Sequence, residues 1–278
     1  MSASPESPAR SDPPSYTEVQ PGPGLAPWIE CFWLIRAAPG SSLHSRVLPD
    51  GCSDLIVGVE GSPTATVVGT MRTALVVPLA GPATLFGVRF HPGAALRIFD
   101  NPLAELTDRR LPLTSLWGSS AEEFSQALVE ATGPAGTQRA ERILAARLGG
   151  VSRSLRGDEA LVERAVALFR RAREGIGVRQ AAAALGVGER RLQRAFDRSV
   201  GLSPKGLARV LRFRQAVRRL DAAGHGSVSW AGLAAFAGYA DQAHFIREFR
   251  ALAGITPAAY HRERRTVGFV QYGETRTE

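Results

Sequence analysis

Apolar positions come in short runs through the first third of the chain and recur at three- and four-residue spacing through the last half. Runs rich in Val, Ile, Leu and aromatic residues occupy 28–35, 45–48, 54–59, 64–69, 74–77 and 84–90. Between them stand Pro39-Gly40, Pro49-Asp50-Gly51, Gly61-Ser62-Pro63 and Gly81-Pro82. Short β-prone runs broken by turn residues predict the strands of a sandwich or small barrel. Helical segments are predicted at 93–99, 121–131 and 137–148, with Gly149-Gly150 and Ser152 marking a linker. After Gly157 the period is helical throughout. The segment 158–173 carries Leu161, Ala165, Leu168 and Phe169 on one stripe. Asp158 and Glu159 sit at its start, where the helix dipole favours anions. A long helix is predicted over 204–220, with Leu207, Val210, Leu211, Val217 and Leu220 on one face and arginines around the rest. Ser203-Pro204 before it reads as an N-cap followed by Pro at the first helical position.

The strongest pattern is an internal repeat. Gly186-Val187-Gly188-Glu189-Arg190-Arg191-Leu192-Gln193-Arg194-Ala195-Phe196 aligns with Gly238-Tyr239-Ala240-Asp241-Gln242-Ala243-His244-Phe245-Ile246-Arg247-Glu248-Phe249. Each copy follows an Ala-rich segment, 181–185 in one and 233–237 in the other. Gly201 and Gly254 then fall five residues after Phe196 and Phe249, and Pro204 and Pro257 fall eight after. The copies are 53 residues apart, with one extra residue in the second turn. A short helix, a turn opened by Gly and a second helix make a helix-turn-helix, since Gly admits the positive φ of a sharp reversal. Leu192/Phe196 and Phe245/Phe249 supply the buried stripe of the second helix in each copy. Arg190, Arg191, Gln193 and Arg194 are left outside in the first, and Gln242, Ala243, His244 and Arg247 in the second. Arg suits bidentate contact with guanine and Gln with adenine in a major groove.

Charge sharpens the division of labour. The 278 residues, 44% hydrophobic and 22% charged, are enough for two ordinary globular domains. Residues 1–150 hold 11 Arg against 14 Asp and Glu, a net −3, whereas residues 151–278 hold 22 Arg and one Lys against 12, a net +11. The basic excess lies wholly in the repeat-bearing half, which predicts a polyanion partner for that half alone. No apolar stretch reaches the length of a membrane span. The first 15 residues, rich in Ser and Pro, lack the apolar centre of a signal peptide and predict a disordered tail. Two cysteines, Cys31 and Cys52, exclude a disulfide scaffold and a four-cysteine zinc site. A cytoplasmic protein is the expectation.

On these residues, 158–265 resembles the C-terminal DNA-binding domain of the AraC/XylS transcription regulators. Leu192-Gln193-Arg194-Ala195-Phe196, Gly201-Leu202-Ser203-Pro204, Gly238-Tyr239-Ala240-Asp241-Gln242-Ala243-His244-Phe245, Arg247, Phe249, Gly254-Ile255-Thr256-Pro257 and Tyr260 carry the likeness. The resemblance implies two helix-turn-helix units joined by the long helix and set in successive major grooves of promoter DNA. By position, Arg190, Gln193 and Arg194 match base-reading sites of the first unit, and Gln242, Ala243, His244 and Arg247 those of the second. Arg198, Arg212, Arg250, Arg262, Arg264 and Arg265 are candidates for phosphate contact. Residues 16–148 resemble the uncharacterised N-terminal domain that precedes this unit in many actinobacterial-type regulators. The likeness rests on 46–56, which reads Arg-Val-Leu-Pro-Asp-Gly-Cys-Ser-Asp-Leu-Ile, and on Gly87-Val88-Arg89-Phe90-His91-Pro92-Gly93. It implies a cupin-like β-structure with a helical annex that senses a small molecule or mediates association.

The expectation is therefore an α+β chain. A tail covers 1–15, a β-rich sensor or dimerisation domain, cupin-like barrel or sandwich, covers 16–148, and a linker covers 149–157. An all-α double helix-turn-helix domain covers 158–265 and a second tail 266–278. Besides DNA, a small-molecule effector, a second copy of the chain and RNA polymerase are the partners this reading admits. No membrane, cofactor or catalytic residue is expected, since G-x-S-x-G, Walker, H-E-x-x-H and complete G-x-G-x-x-G motifs are absent. The alternative is an N-terminal metal-binding cupin enzyme fused to a DNA-targeting domain, motivated by His44, Asp50, Cys52, Asp54 and His91. Against it, no His-x-His spacing occurs, Asp50-Gly51 reads as a turn, and Asp54 is equally a partner for Arg46 or Arg89. Trp28, Phe32 and Trp33 form one apolar run and read as core.

Overall fold

Among the described residues up to 112, eight strands form: β1 (Ser15–Val19), β2 (Ile29–Ala37), β3 (Ser42–Val47), β4 (Ser53–Gly58), β5 (Ala65–Val68), β6 (Leu75–Ala80), β7 (Ala83–Phe90) and β8 (Arg110–Pro112). The structure is a computed structural model that describes residues 15–39, 42–59, 64–80, 82–130, 136–149, 157–172, 176–224 and 226–266. Positions 1–14 and 267–278 of the expected tails and 150–156 of the expected linker lie outside the described residues. Six strands form one antiparallel sheet in the order β1-β2-β7-β4-β5-β8, and β3 pairs with β6 in a separate two-stranded ribbon. Among the described residues the sheet has two edges, β1 and β8, and lies against the ribbon without closing into a barrel, a β-rich arrangement within the expected fold class. Strands β2 to β7 fall on the six predicted runs. Strands β1 and β8 escaped prediction because Ser-Tyr-Thr-Glu-Val and Arg-Leu-Pro show little apolar pattern; each is an edge strand held by pairing with β2 or β5.

Alternation decides what each face of the sheet meets. Leu55 and Val57 of β4 and Phe86, Val88 and Phe90 of β7 point into one core with the helical annex. The annex comprises α1 (Leu96–Phe99), a 3-10 turn (Leu103–Glu105), α2 (Thr114–Trp117), α3 (Ser120–Glu130) and α4 (Gly136–Gly149). The opposite face carries Trp33, Ile56, Leu85 and Arg89 towards the ribbon. Strand β2 has a register shift between Ile29 and Cys31. That bulge resets the parity, so Ile29 and Phe32 join the annex core while Cys31, Trp33 and Ile35 face the other way. Gly87 is required beneath Trp33, since a Cβ there would lie 1.9 Å from the indole ring.

The C-terminal half folds as α5 (Gly157–Arg171), α6 (Val178–Ala184), α7 (Glu189–Ser199), α8 (Pro204–Ala222), α9 (Trp230–Phe236), α10 (Gln242–Ala253) and α11 (Pro257–Thr266). Ser203 caps α8 by accepting the Gly206 N–H, as its sequence predicts. Phe213 of α8 meets Phe249 of α10 edge-on at 5.0 Å, and Phe169 of α5 meets Phe196 of α7 at 6.1 Å.

The two halves are docked. Leu48, just beyond β3, is buried in the core of the C-terminal helices. Arg97 of α1 donates to Glu159 of α5 at 2.8 Å, both side chains nearly buried. Arg46 of β3 pairs with Glu263 of α11 at 3.1 Å. Gly51, at φ 84°, and Gly93, at φ 91°, sit against Leu207 and Val162, where a Cβ would be 2.4 and 2.8 Å from the nearest atom.

Candidate nucleic-acid interface

The two repeat copies share a backbone. Gly186 and Gly238 adopt φ of 69° and 72°. Around them the Val187 and Tyr239 N–H groups donate to Ala182 and Ala234, and the Gly186 and Gly238 N–H groups to Ala183 and Ala235. This is the same Schellman closure twice, and it turns the chain from α6 into α7 and from α9 into α10. Gly201 and Gly254 likewise follow α7 and α10 at φ of 80° and 75°. Asp241 caps α10 by accepting the His244 N–H at 2.6 Å.

Leu192, Ala195 and Phe196 bury one side of α7, and Phe245, Phe249 and Leu252 one side of α10. With 3.6 residues per turn, the positions farthest from those stripes are Arg190, Arg194 and Asp197 in α7, and Ala243, Arg247 and Arg250 in α10. All six are exposed. Each α10 position follows its α7 counterpart by 53 residues. Four of the eight predicted readers, Arg190, Arg194, Ala243 and Arg247, therefore share the outward ridges. The others flank them. Arg191 lies 3.5 Å from Asp158 of α5. Gln193 donates its amide to Asp197 at 2.8 Å. The His244 ring packs edge-on against Tyr239 at 5.4 Å between centroids, and Gln242 opens the first turn of α10. The sequence reading left out Asp197 and placed Arg250 only with the phosphate candidates. The 53-residue offset, carried one turn further, would have put both on the ridges.

Two phosphate candidates are turned inward. Arg212 lies over the Tyr239 ring at 4.7 Å, and Arg264 donates to the Tyr260 hydroxyl at 3.0 Å and pairs with Asp221. Arg198, Arg250 and Arg262 are exposed, and the Arg265 side chain lies outside the described residues. Asp197 places a negative charge on a face otherwise suited to phosphate. Asp197→Ala is expected to tighten non-specific duplex binding by ~0.5–1 kcal/mol, the scale of one exposed charge pair. Titration of a random duplex at two salt concentrations checks it; unchanged affinity at low salt would place Asp197 away from DNA.

The residues that prompted a metal reading are engaged elsewhere. Asp50 and Asp54 lie 3.4 and 3.3 Å from Arg89, which is 2% exposed, and Glu18 lies 3.5 Å away. Of the two partners open to Asp54 in the sequence, the structure selects Arg89. The Cys52 thiol donates to Glu30 at 2.9 Å, and His91 Nε2 lies 3.2 Å from the Ala26 carbonyl oxygen. The His44 side chain lies outside the described residues. Among the described residues no three His, Cys, Asp or Glu side chains gather as a metal site. Burial pushes both thiols up, away from reactive thiolate.

Burial also raises Asp54 to about 6, against the pull of Arg89 and of the Trp33 N–H that donates to it at 2.8 Å. The unfolded carboxyl titrates near the ordinary value of about 4. The folded protein therefore holds a proton here that the unfolded chain has lost. Its stabilising contribution is full below about pH 4 and disappears as pH rises through about 6. The stability of Asp54→Asn relative to wild type should accordingly rise from pH 4 to pH 7.5. Urea titrations at each pH measure it, and a difference that does not change with pH would refute the assignment.

Residues 17–112 match the family described as a domain of unknown function (DUF6597), and residues 181–263 match the family described as helix-turn-helix domain. Among solved structures the chain is similar to a transcriptional regulator of the AraC-type DNA-binding group from Chromobacterium violaceum, at 26% identity over 42% of this chain and 98% of that one, with a TM-score of 0.35. It is also similar to a probable AraC family transcriptional regulator from Rhodopseudomonas palustris, at 24% identity over 38% and 98%, with a TM-score of 0.34. A third likeness is to ToxT from Vibrio cholerae, at 10% identity over 83% and 97%, with a TM-score of 0.48. No curated protein sequence matches the chain. No helix among the described residues is long and apolar enough to cross a membrane.

Proposed function

We propose that this chain, whose residues 181–263 form an AraC-type helix-turn-helix domain, is a sequence-specific transcription regulator whose helices α7 and α10 enter successive major grooves of promoter DNA. The observation that carries this reading is the repeated backbone with arginine-bearing ridges 53 residues apart on a half-chain of net charge +11. Arg190, Arg194, Arg247 and Arg250 are the assigned DNA contacts on those ridges, with Arg191, Gln193, Gln242, Ala243 and His244 beside them. The docked N-terminal domain contacts the far ends of both reading helices, so its state sets their geometry. A small-molecule effector or association with a second copy, acting on that domain, shifts the population competent for DNA. One chain already presents two reading helices, so two grooves can be filled without a second copy. The chain works in the cytoplasm beside RNA polymerase, and no catalytic step is assigned to it.

Selection of bound duplexes from a random pool, at fixed salt, tests the reading. The expected site has two short blocks about one helical turn, ~10 base pairs, apart. Affinity should fall steeply with salt as phosphate contacts are screened. A pool that stays random, or a single block, would overturn the two-groove assignment.

A further inference from the structure

A cleft of about 630 Å³ lies where the sheet meets the C-terminal half of α8 and the end of α11. Its two walls belong to different domains and carry opposite charge. Glu18, Glu30, Arg89 and His91 line it from the N-terminal domain. Arg89 is already shared by Glu18, Asp50 and Asp54 at 3.3–3.5 Å. Glu30 accepts the Cys52 thiol at 2.9 Å, and among the described residues no arginine pairs with it. Burial lowers His91, so its ring adds no charge at pH 7. This wall therefore presents a surplus of negative charge, and Glu30 carries it. Arg214, Arg218, Arg264 and Asp221 line the facing wall. Arg264 lies 3.4 Å from Asp221, and Arg214, 5% exposed, acts on the same carboxylate. Arg218 is exposed and has no acidic partner among the described residues. With three guanidinium groups to one carboxylate, this wall is positive. A purely cationic guest would face the arginines, and a purely anionic one would face Glu18 and Glu30. A guest with one end of each sign satisfies both walls, and Ala26, Ile29 and Ala222 offer it a small apolar surface.

We propose that this cleft binds a small zwitterion, an α-amino acid or dipeptide, with its ammonium group against Glu30 and its carboxylate against Arg218, and so ties the two domains together. The proposal rests on the effector reading above and gives it a site and a ligand class. The site takes one charge from each domain, so it is complete only while the two are docked. A guest therefore stabilises the docked form by mass action. In that form the N-terminal domain grips the far ends of both reading helices. The Thr70 hydroxyl, 1% exposed, donates to the Val200 carbonyl at the end of α7 at 2.6 Å. The Ala74 N–H donates to the Leu252 carbonyl in the last turn of α10 at 2.7 Å, and Arg46 donates to the Ala253 carbonyl at 3.1 Å. These are carbonyls that a helix end leaves without an intrahelical partner, so the N-terminal domain caps both reading helices. Arg218 stands on α8, the helix that joins the two units. A ligand bridging Glu30 to Arg218 thus holds α7, α8 and α10 against one frame, and with them the placement of the reading helices.

The test uses the full chain and a duplex obtained by selection. Thermal shift is read with each common amino acid and its glycyl dipeptide as probes, and calorimetry then measures the best binder. Its deaminated and decarboxylated analogues serve as the singly charged controls and should bind at least about tenfold more weakly, the scale of one lost hydrogen bond to a charged group. Glu30→Gln keeps an oxygen for the Cys52 thiol and should cost the zwitterion a similar factor. Arg218→Gln should cost less, several-fold, since solvent screens an exposed arginine. Glu30→Arg and Arg218→Glu should each abolish binding, and the two together should restore most of it, because a zwitterion can enter end for end. Saturating ligand should shift duplex affinity several-fold, and Glu30→Gln should remove that shift. If no probe binds, or if a singly charged analogue binds as tightly as the zwitterion, the ligand class is overturned. Binding that survives both Gln variants unchanged overturns the site. Binding that leaves duplex affinity unchanged overturns the link to the reading helices. In all these outcomes duplex binding without ligand leaves the regulator reading standing, and only failure to select any duplex removes that reading.

Discussion

Arg194→Ala and Arg247→Ala should each weaken binding to the selected site by about 1–3 kcal/mol, roughly 5- to 150-fold, and relax base preference within one block only. Each guanidinium sits at the centre of its exposed ridge, opposite Phe196 or Phe249, so truncation removes a reader without opening the core. The two effects should differ in kind. In α7 Arg194 has Arg190 one turn before it, whereas α10 offers Ala243 at the matching position. The first block should therefore keep part of its preference in Arg194→Ala, and the second should lose nearly all of it in Arg247→Ala. Arg250→Ala provides the contrast: a phosphate contact would weaken all sequences alike and lower the salt slope by about one. Competition binding against single-base variants of the site, at two salt concentrations, separates these cases. Wild-type binding by both Arg194→Ala and Arg247→Ala would mean that other helices read the DNA.

The reading helices were legible because everything that makes them is local. A Gly at the turn, small residues before it and an i, i+4 apolar pair lie within about a dozen residues and occur twice. What the sequence hid depends on registers and distant partners. Asp54 chooses Arg89 over Arg46 because the two are direct partners across β4 and β7, while Arg46 on the ribbon faces Glu263. Trp33 reads as core beside Trp28 and Phe32, and it is buried core, but on the opposite face of the sheet, in a separate cluster with Cys31 and Ile35. The contacts joining the halves, Thr70 to Val200 and Arg97 to Glu159, pair residues 130 and 62 positions apart. Charge arithmetic even suggested two independent parts, because it counts Arg97 and Glu159 in opposite halves without showing that they meet.

That pair yields the largest expected loss of stability. Arg97 and Glu159 are 4% and 11% exposed in their side chains and meet where α1 docks on the first turn of α5. Glu159→Ala removes the carboxylate from a buried guanidinium and should cost about 3–5 kcal/mol. Arg97→Ala should cost less. Glu159 is nearer solvent and lies in the first turn of α5, where the helix dipole favours a negative charge. The double change Arg97→Met with Glu159→Leu should recover most of the loss, since a well-packed apolar pair replaces two buried charges at little cost. Failure of Glu159→Ala should begin at the docking surface, where Glu159 of α5 meets Arg97 of α1. Urea unfolding in a Trp230→Phe background, followed by two probes, fluorescence of Trp28, Trp33 and Trp117 for the N-terminal domain and helical ellipticity dominated by the C-terminal one, should then separate into two transitions where the parent shows one. A Glu159→Ala cost below about 1 kcal/mol would put the pair in the range of screened surface bridges. The docked arrangement would then be too weakly held to transmit anything from the N-terminal domain to α7 and α10.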